Sequence, residues 1–222
     1  MKKVLKSMVV LMIMTVVLTG CAVVDYQVTI NRDGSGEIVY IHGYTRESLR
    51  QMGLDAEHMT LGMRRRAEEA GFKAESYSGD EIEGFKGTKQ LEDIAEAPSL
   101  AAIFGSENVT DVEDSNINME RGLFTVKFYQ KGIIDLTQME GTQEYLTINY
   151  SINLPVRVGN NNADNVSRDG RTLTWQLRIG EENNIEFVAT RTIWNCTYIN
   201  NSRTYISSRS SKCNSSKNSK KR

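Results

Sequence analysis

The chain's stock of soft nucleophiles and near-neutral bases is three cysteines and two histidines in 222 residues. Cys21 closes the tetrapeptide Leu18-Thr19-Gly20-Cys21, where small residues mark a cleavage point and the thiol is available for alkylation. His42 falls in a strand-like segment and His58 in a helical one, and each reads as a packing or surface residue rather than a base. Cys196 and Cys213 lie in a polar tail, where a disulfide closing a loop outside a core gains little. No H-E-x-x-H, G-x-S-x-G or S-x-x-K arrangement occurs, and no Cys/His pair has the spacing of a metal site. Catalytic residues, metal ligands and cofactors are therefore expected to be none, and the chain is read as a non-enzyme. Carboxylates from distant segments can still meet in space, which a sequence does not reveal.

The chemistry that the spacing does favour is lipidation. Lys2, Lys3 and Lys6 precede an apolar run from Met8 to Leu18, the layout of a secretory signal peptide. That run is too short to cross a ~30 Å hydrocarbon layer, which needs about 20 apolar residues. Leu18-Thr19-Gly20-Cys21 resembles the bacterial lipobox, in which the thiol takes a diacylglyceryl group before cleavage between Gly20 and Cys21. Two acyl chains give stable attachment, at ~0.8 kcal/mol per buried methylene. Residues 1–20 are thus expected to be removed. The mature chain is expected on the extracytoplasmic face of the cell membrane, with the membrane as partner through the lipidated Cys21.

Charge divides the remainder. The 27 basic and 28 acidic residues nearly cancel, yet residues 21–190 hold 16 basic and all 28 acidic side chains, a formal charge of −12. Residues 191–222 hold eight basic and no acidic residues. A folded region of this sign is a poor partner for nucleic acid. At 170 residues it suits one core, which argues against a two-lobed binding protein.

The elements that would position these groups follow from periodicity. Val24, Tyr26, Val28 and Ile30 alternate with polar residues, Asn31 to Gly36 is a turn, and Glu37 to His42 returns as a second strand. Asp33-Gly34-Ser35-Gly36-Glu37 reads as a hairpin rather than a calcium or phosphate loop, since no further oxygen ligands or helix start follow. Thr45 caps a short helix ended by Gly53, and Asp55 caps a second whose Met59, Met63, Ala67 and Ala70 form the inward stripe, ended by Gly71. Arg64, Arg65 and Arg66 read as a solvated face paired with Glu68 and Glu69. Two strands, Phe72 to Ser78 and Glu81 to Lys89, precede a helix over Pro98 to Phe104. In the polar loop Glu107 to Asn118, solvation is favoured over a cation site at Asp111, Glu113 and Asp114.

Strand patterns then dominate. Phe124, Val126 and Phe128 share one face, as do Leu146 to Leu154 at alternate positions; Leu173, Trp175, Leu177 and Ile179 follow, then Ile185, Phe187 and Ala189. The fold class is α+β, mainly antiparallel sheet with two or three helices in the first half.

Three segments, Val28 to Gly36, Asn153 to Val158 and Asp169 to Leu177, together with the lipobox, resemble the LppM-like lipoprotein family of bacteria. The resemblance spans most of residues 21–190 and rests on turns and strands. It implies an α+β domain related to lipid-binding folds, and binding of a lipid or lipoglycan rather than catalysis. Comparable members often continue from the last strand into a transmembrane helix. Here no segment after Ala189 is apolar for long enough. Either a frame change near Trp194 has replaced such a helix, or residues 191–222 are a disordered basic tail. The reading adopted is a membrane-anchored envelope lipoprotein that binds lipid or lipoglycan. Its rival is an interaction protein presenting the acidic surface to an envelope partner.

Overall fold

The computed structural model describes residues 21–98, 116–142 and 145–192, and the backbone of 198–200 and 203–205. The signal segment, the helix expected after Pro98, the acidic triplet at 111–114, Trp194, Cys196 and Cys213 lie outside these residues.

The early hairpin forms as its alternation dictates. β1 (Ala22–Ile30) pairs antiparallel with β2 (Gly36–Thr45), Tyr26 facing Tyr40 and Val28 facing Ile38. Thr45 then caps α1 (Arg46–Met52) by accepting from the Ser48 amide, and Gly53 ends it at φ +64°, a left-handed conformation that costs glycine nothing. Asp55 caps α2 (Ala56–Glu69) through the His58 amide. The inward stripe of α2 is built differently from expectation. Ala67 is fully buried, but Met59, Met63 and Ala70 are only half-buried, and Thr60 takes a core position by donating its hydroxyl to the Ala56 carbonyl. Arg64 reaches Glu68 at 3.2 Å, the pairing expected one turn apart.

After β3 (Lys73–Ser78) and β4 (Ile82–Leu91) come β5 (Asn118–Arg121), β6 (Thr125–Asp135), β7 (Leu146–Asn153), β8 (Asn160–Asn161), β9 (Asn165–Val166), β10 (Thr172–Leu177) and β11 (Glu182–Thr192). β12 (Tyr198–Asn200) and β13 (Arg203–Tyr205) form a small antiparallel hairpin within the tail. A seven-stranded sheet runs β3-β4-β2-β1-β7-β10-β9, and a four-stranded sheet runs β5-β6-β11-β8. One pairing departs from the antiparallel expectation: β1 and β7 are parallel, in register from Ala22 with Leu146 to Thr29 with Asn153. Local alternation specifies a strand's faces but not its neighbour, and this pairing joins the two halves of the chain.

The inner face of the large sheet carries Val24, Tyr26, Val28, Ile38, Tyr40, Phe85, Ile148, Tyr150, Ile152, Leu173 and Trp175, all buried. α2 covers its β2–β4 side. The four-stranded sheet covers the β7–β10 side, where Trp175 meets Phe187 at 6.5 Å and Tyr150 donates to the Gln130 side-chain oxygen at 3.3 Å. The opposite face presents Gln27, Asn149, Ser151 and Gln176, the wet face that alternation predicts.

Phe124 corrects the expected face of β6. It is 65% exposed, because it sits in the turn closed by the Gly122 amide on the Thr125 carbonyl; inward alternation starts only at Val126.

Candidate functional site

Cys21 stands at the head of β1 with no linker between them. Its carbonyl accepts from the Thr45 amide at 3.0 Å, and the next amide, Ala22, donates to the Tyr145 carbonyl at 2.8 Å. Its side chain is half-buried and free of any disulfide. Gly20, the other half of the expected cleavage site, lies outside the described residues. The same end of the sheet is held by Arg46, whose guanidinium lies 2.9 Å from Glu83 and donates to the Gly79 carbonyl at 2.8 Å.

Across the inner face runs a continuous row of rings. Phe85 meets Tyr40 at 5.4 Å, Tyr40 meets Tyr26 at 6.4 Å, Tyr26 stacks on Tyr150 at 5.9 Å, and Tyr150 meets Trp175 at 5.8 Å. Each phenol and indole tip in the row has an internal partner. Tyr26 donates to the Pro98 carbonyl at 2.7 Å, and the Trp175 indole donates to the Asn162 side-chain oxygen at 2.9 Å. Burial raises the phenol pKa values of Tyr26, Tyr40 and Tyr150, so all three stay neutral donors. His42 extends the row, stacked on Phe85 at 6.0 Å, with Nδ1 3.2 Å from the Tyr40 hydroxyl. Its Nε2 is buried without a hydrogen-bond partner. Burial lowers its pKa to about 4, so it is a neutral packing residue. His58 is an exposed cap residue whose ring reaches Asp55 at 2.8 Å. Among the described residues no three His, Cys, Asp or Glu side chains gather as metal ligands.

At the end of the sheet remote from Cys21 lies an open cleft of about 630 Å³, lined by Thr29 to Asp33, Asn153 to Pro155, Asp169 and Arg171. The register brings these together, because Thr29 pairs with Asn153 and Asn153 with Thr172. The three segments that carry the family resemblance therefore meet at one place. Its two carboxylates are tied into their own turns: Asp33 accepts from the Ser35 hydroxyl at 2.7 Å, and Asp169 from the Ser167 hydroxyl at 2.6 Å. These hydrogen bonds lower both pKa values and hold the turns that present Arg32 and Arg171.

The model of the LppM domain matches residues 23–191. The chain belongs to the LppM domain family. The LppM match starts two residues after Cys21 and ends within β11, so it takes in the two large sheets, α1 and α2. Among solved structures, the NMR structure of the folded domain of Mycobacterium tuberculosis LppM is similar at 19% identity. The likeness covers 78% of this chain and 92% of that one, with a TM-score of 0.49. No curated protein matches the sequence. Membership supports reading this LppM domain as part of a lipoprotein-like envelope protein. Among the described residues no helix is long and apolar enough to cross a membrane.

Arg32, Arg121 and Arg171, which gather at the remote end of the LppM domain, were not visible as a group in the sequence, being far apart and separately unremarkable. The aromatic row was legible strand by strand but not as a row, since that depends on register.

Proposed function

We propose that this chain is a lipid-anchored envelope protein on the extracytoplasmic face of the cell membrane, cleaved after Gly20 and held by a diacylglyceryl group on Cys21. It acts without catalysis, as a binding module for a lipid or lipoglycan. The observation that carries the binding reading is the divided cover of the aromatic face. α2 lies over β2 to β4, the four-stranded sheet lies over β7 to β10, and β1 runs between them along a closed seam, its inward Val24, Tyr26 and Val28 all buried. At that seam Tyr26 donates its hydroxyl to the backbone carbonyl of Pro98. That seam is closed, so an acyl chain would be taken in by parting the two covers, against rings that offer apolar area and few free polar groups. The anchoring reading is supported by the direct fusion of Cys21 to β1, which holds the seam close to the membrane that would supply the lipid.

Retention of lipid by the intact mature chain tests the binding reading. A chain that retains none is better read as an interaction protein presenting its acidic surface to an envelope partner.

A further inference from the structure

β1 begins one residue after Cys21, and register fixes what stands level with its head. Ala22 pairs with Tyr44 of β2 and with Leu146 of β7, and Tyr44 pairs in turn with Glu83 of β4. Large apolar side chains are left uncovered on both sides of this head. On the β7 side Tyr145, whose carbonyl accepts from the Ala22 amide, is 47% exposed. On the β2 side Thr45 donates to the Cys21 carbonyl and starts α1, and the turn at Gly53 that ends this helix is flanked by Met52, 45% exposed, and Leu54, 49% exposed. Leu54 shares an open cleft of about 330 Å³ with Leu49, Arg46 and Glu83, so it too lies beside the Ala22 level. The charges at this end are of both signs. Arg46 pairs with Glu83 at 2.9 Å, Asp55 is engaged as the α2 cap, Arg50 lines the cleft, and Glu81 accepts through its carbonyl from the Arg46 amide.

We propose that the Cys21 end of the large sheet is a docking face for the bilayer, with Tyr145, Met52 and Leu54 seated at the boundary between headgroups and acyl chains. This rests on the anchoring reading given above, and the occupant follows from what the sequence joins to β1. The apolar run Met8 to Leu18 ends at the lipobox, and the diacylglyceryl group would sit on Cys21 itself, so either one brings lipid to the head of β1. A strand residue advances only ~3.3 Å, and no spacer separates Cys21 from Ala22, so the domain has no length of chain with which to stand clear of the surface. Single exposed apolar residues are ordinary on a protein surface; these three are set apart by flanking the point of attachment. A tyrosine, with an apolar ring and a polar tip, is a side chain that a water–lipid boundary favours. The contact is apolar rather than ionic. Asp55, Glu81 and Glu83 oppose anionic headgroups as much as Arg46 and Arg50 attract them, so zwitterionic lipid is the matching surface. Docked in this way, the domain carries the cleft at the other end of β1 away from the bilayer, by up to about 30 Å for nine residues.

The test uses the mature chain with Cys196→Ser and Cys213→Ser, coupled through the Cys21 thiol to phosphatidylcholine vesicles that contain a maleimide lipid. Attachment is thus imposed, and only docking is read. Brominated phosphatidylcholine quenches a tryptophan that enters the apolar zone. With the parent's own emission subtracted, Tyr145→Trp and Leu54→Trp are expected to be blue-shifted and quenched at least about threefold more than Arg32→Trp at the far end of β1. Met52→Trp replaces either if circular dichroism shows that one has not folded. Adding phosphatidylglycerol is expected to leave the quenching no stronger. The proposal is overturned if the docking positions are quenched no more than Arg32→Trp, which would mean that the anchor holds the domain off the surface, or if Arg32→Trp is quenched more, which would mean docking through the opposite end. Quenching that appears only with phosphatidylglycerol would equally overturn it, since the contact would then be ionic. Acylation in the cell is read separately, by palmitate labelling, so the anchoring and docking readings fail apart.

Discussion

Thr45 donates its backbone N–H to the carbonyl of Cys21 at 3.0 Å, while its side chain caps α1 by accepting from the Ser48 amide. One residue thus links the expected anchor to the start of the helical cover. Since the bond uses Cys21 through its backbone, the sulfur is free of structural duty in the sheet, and lipidation and folding make separate demands on the same residue.

It follows that Cys21→Ser should abolish acylation and leave the domain standing. Metabolic labelling with radioactive palmitate is expected to lose its signal. The urea midpoint should move by no more than about 0.5 kcal/mol, the range of a surface substitution. A label that persists would remove the lipobox reading, and a collapse of stability would show that the side chain packs.

His42 sets an acid limit on stability. Its folded pKa is lowered from 6.5 to about 4 because burial disfavours the charged ring, so between those values the unfolded chain binds a proton that the folded chain refuses. Stability is fully present above about pH 6.5 and is lost as pH falls toward 4, by roughly 3 kcal/mol across the window at ~1.4 kcal/mol per pH unit. Urea unfolding followed from pH 7 to pH 5 is expected to show this slope. His42→Phe should flatten it while costing about 1 kcal/mol for the Tyr40 hydroxyl, which loses its partner. An equal slope in the variant would assign the effect to other groups.

Two glycines should respond oppositely to alanine. Gly84 faces Gly43 across β4 and β2, and a Cβ on Gly84 would stand 2.0 Å from the His42 carbonyl oxygen and 2.6 Å from the Gly43 Cα. Gly84→Ala must push two backbones apart and is expected to destabilise by about 2 kcal/mol. Gly62 lies in α2 with open space where its Cβ would go, so Gly62→Ala should stabilise by about 1 kcal/mol through helix propensity. Denaturation midpoints of the two variants check both signs.

Local chemistry in the sequence accounts for much of this fold. The turn at Asn31 to Gly36, the caps at Thr45 and Asp55 and the alternation of β7, β10 and β11 are nearest-neighbour features, and each appears where its residues place it. Three features are not local. The parallel joining of β1 to β7 depends on which apolar edges meet after most of the chain has folded. The exposure of Phe124 depends on a turn one residue earlier than its hydrophobicity implies. The use of Thr60 in place of a methionine on the buried face depends on a side-chain bond to the Ala56 carbonyl that satisfies its hydroxyl. The remote cleft follows the same logic: its turns were readable singly, but their convergence is a property of the register of β1, β7 and β10.

The binding claim is tested most directly by native mass spectrometry of the mature Cys21→Ser chain incubated with a bacterial membrane lipid extract. The account predicts a retained adduct of one lipid mass that survives gentle desolvation. A spectrum containing only the bare protein at every lipid concentration would contradict it.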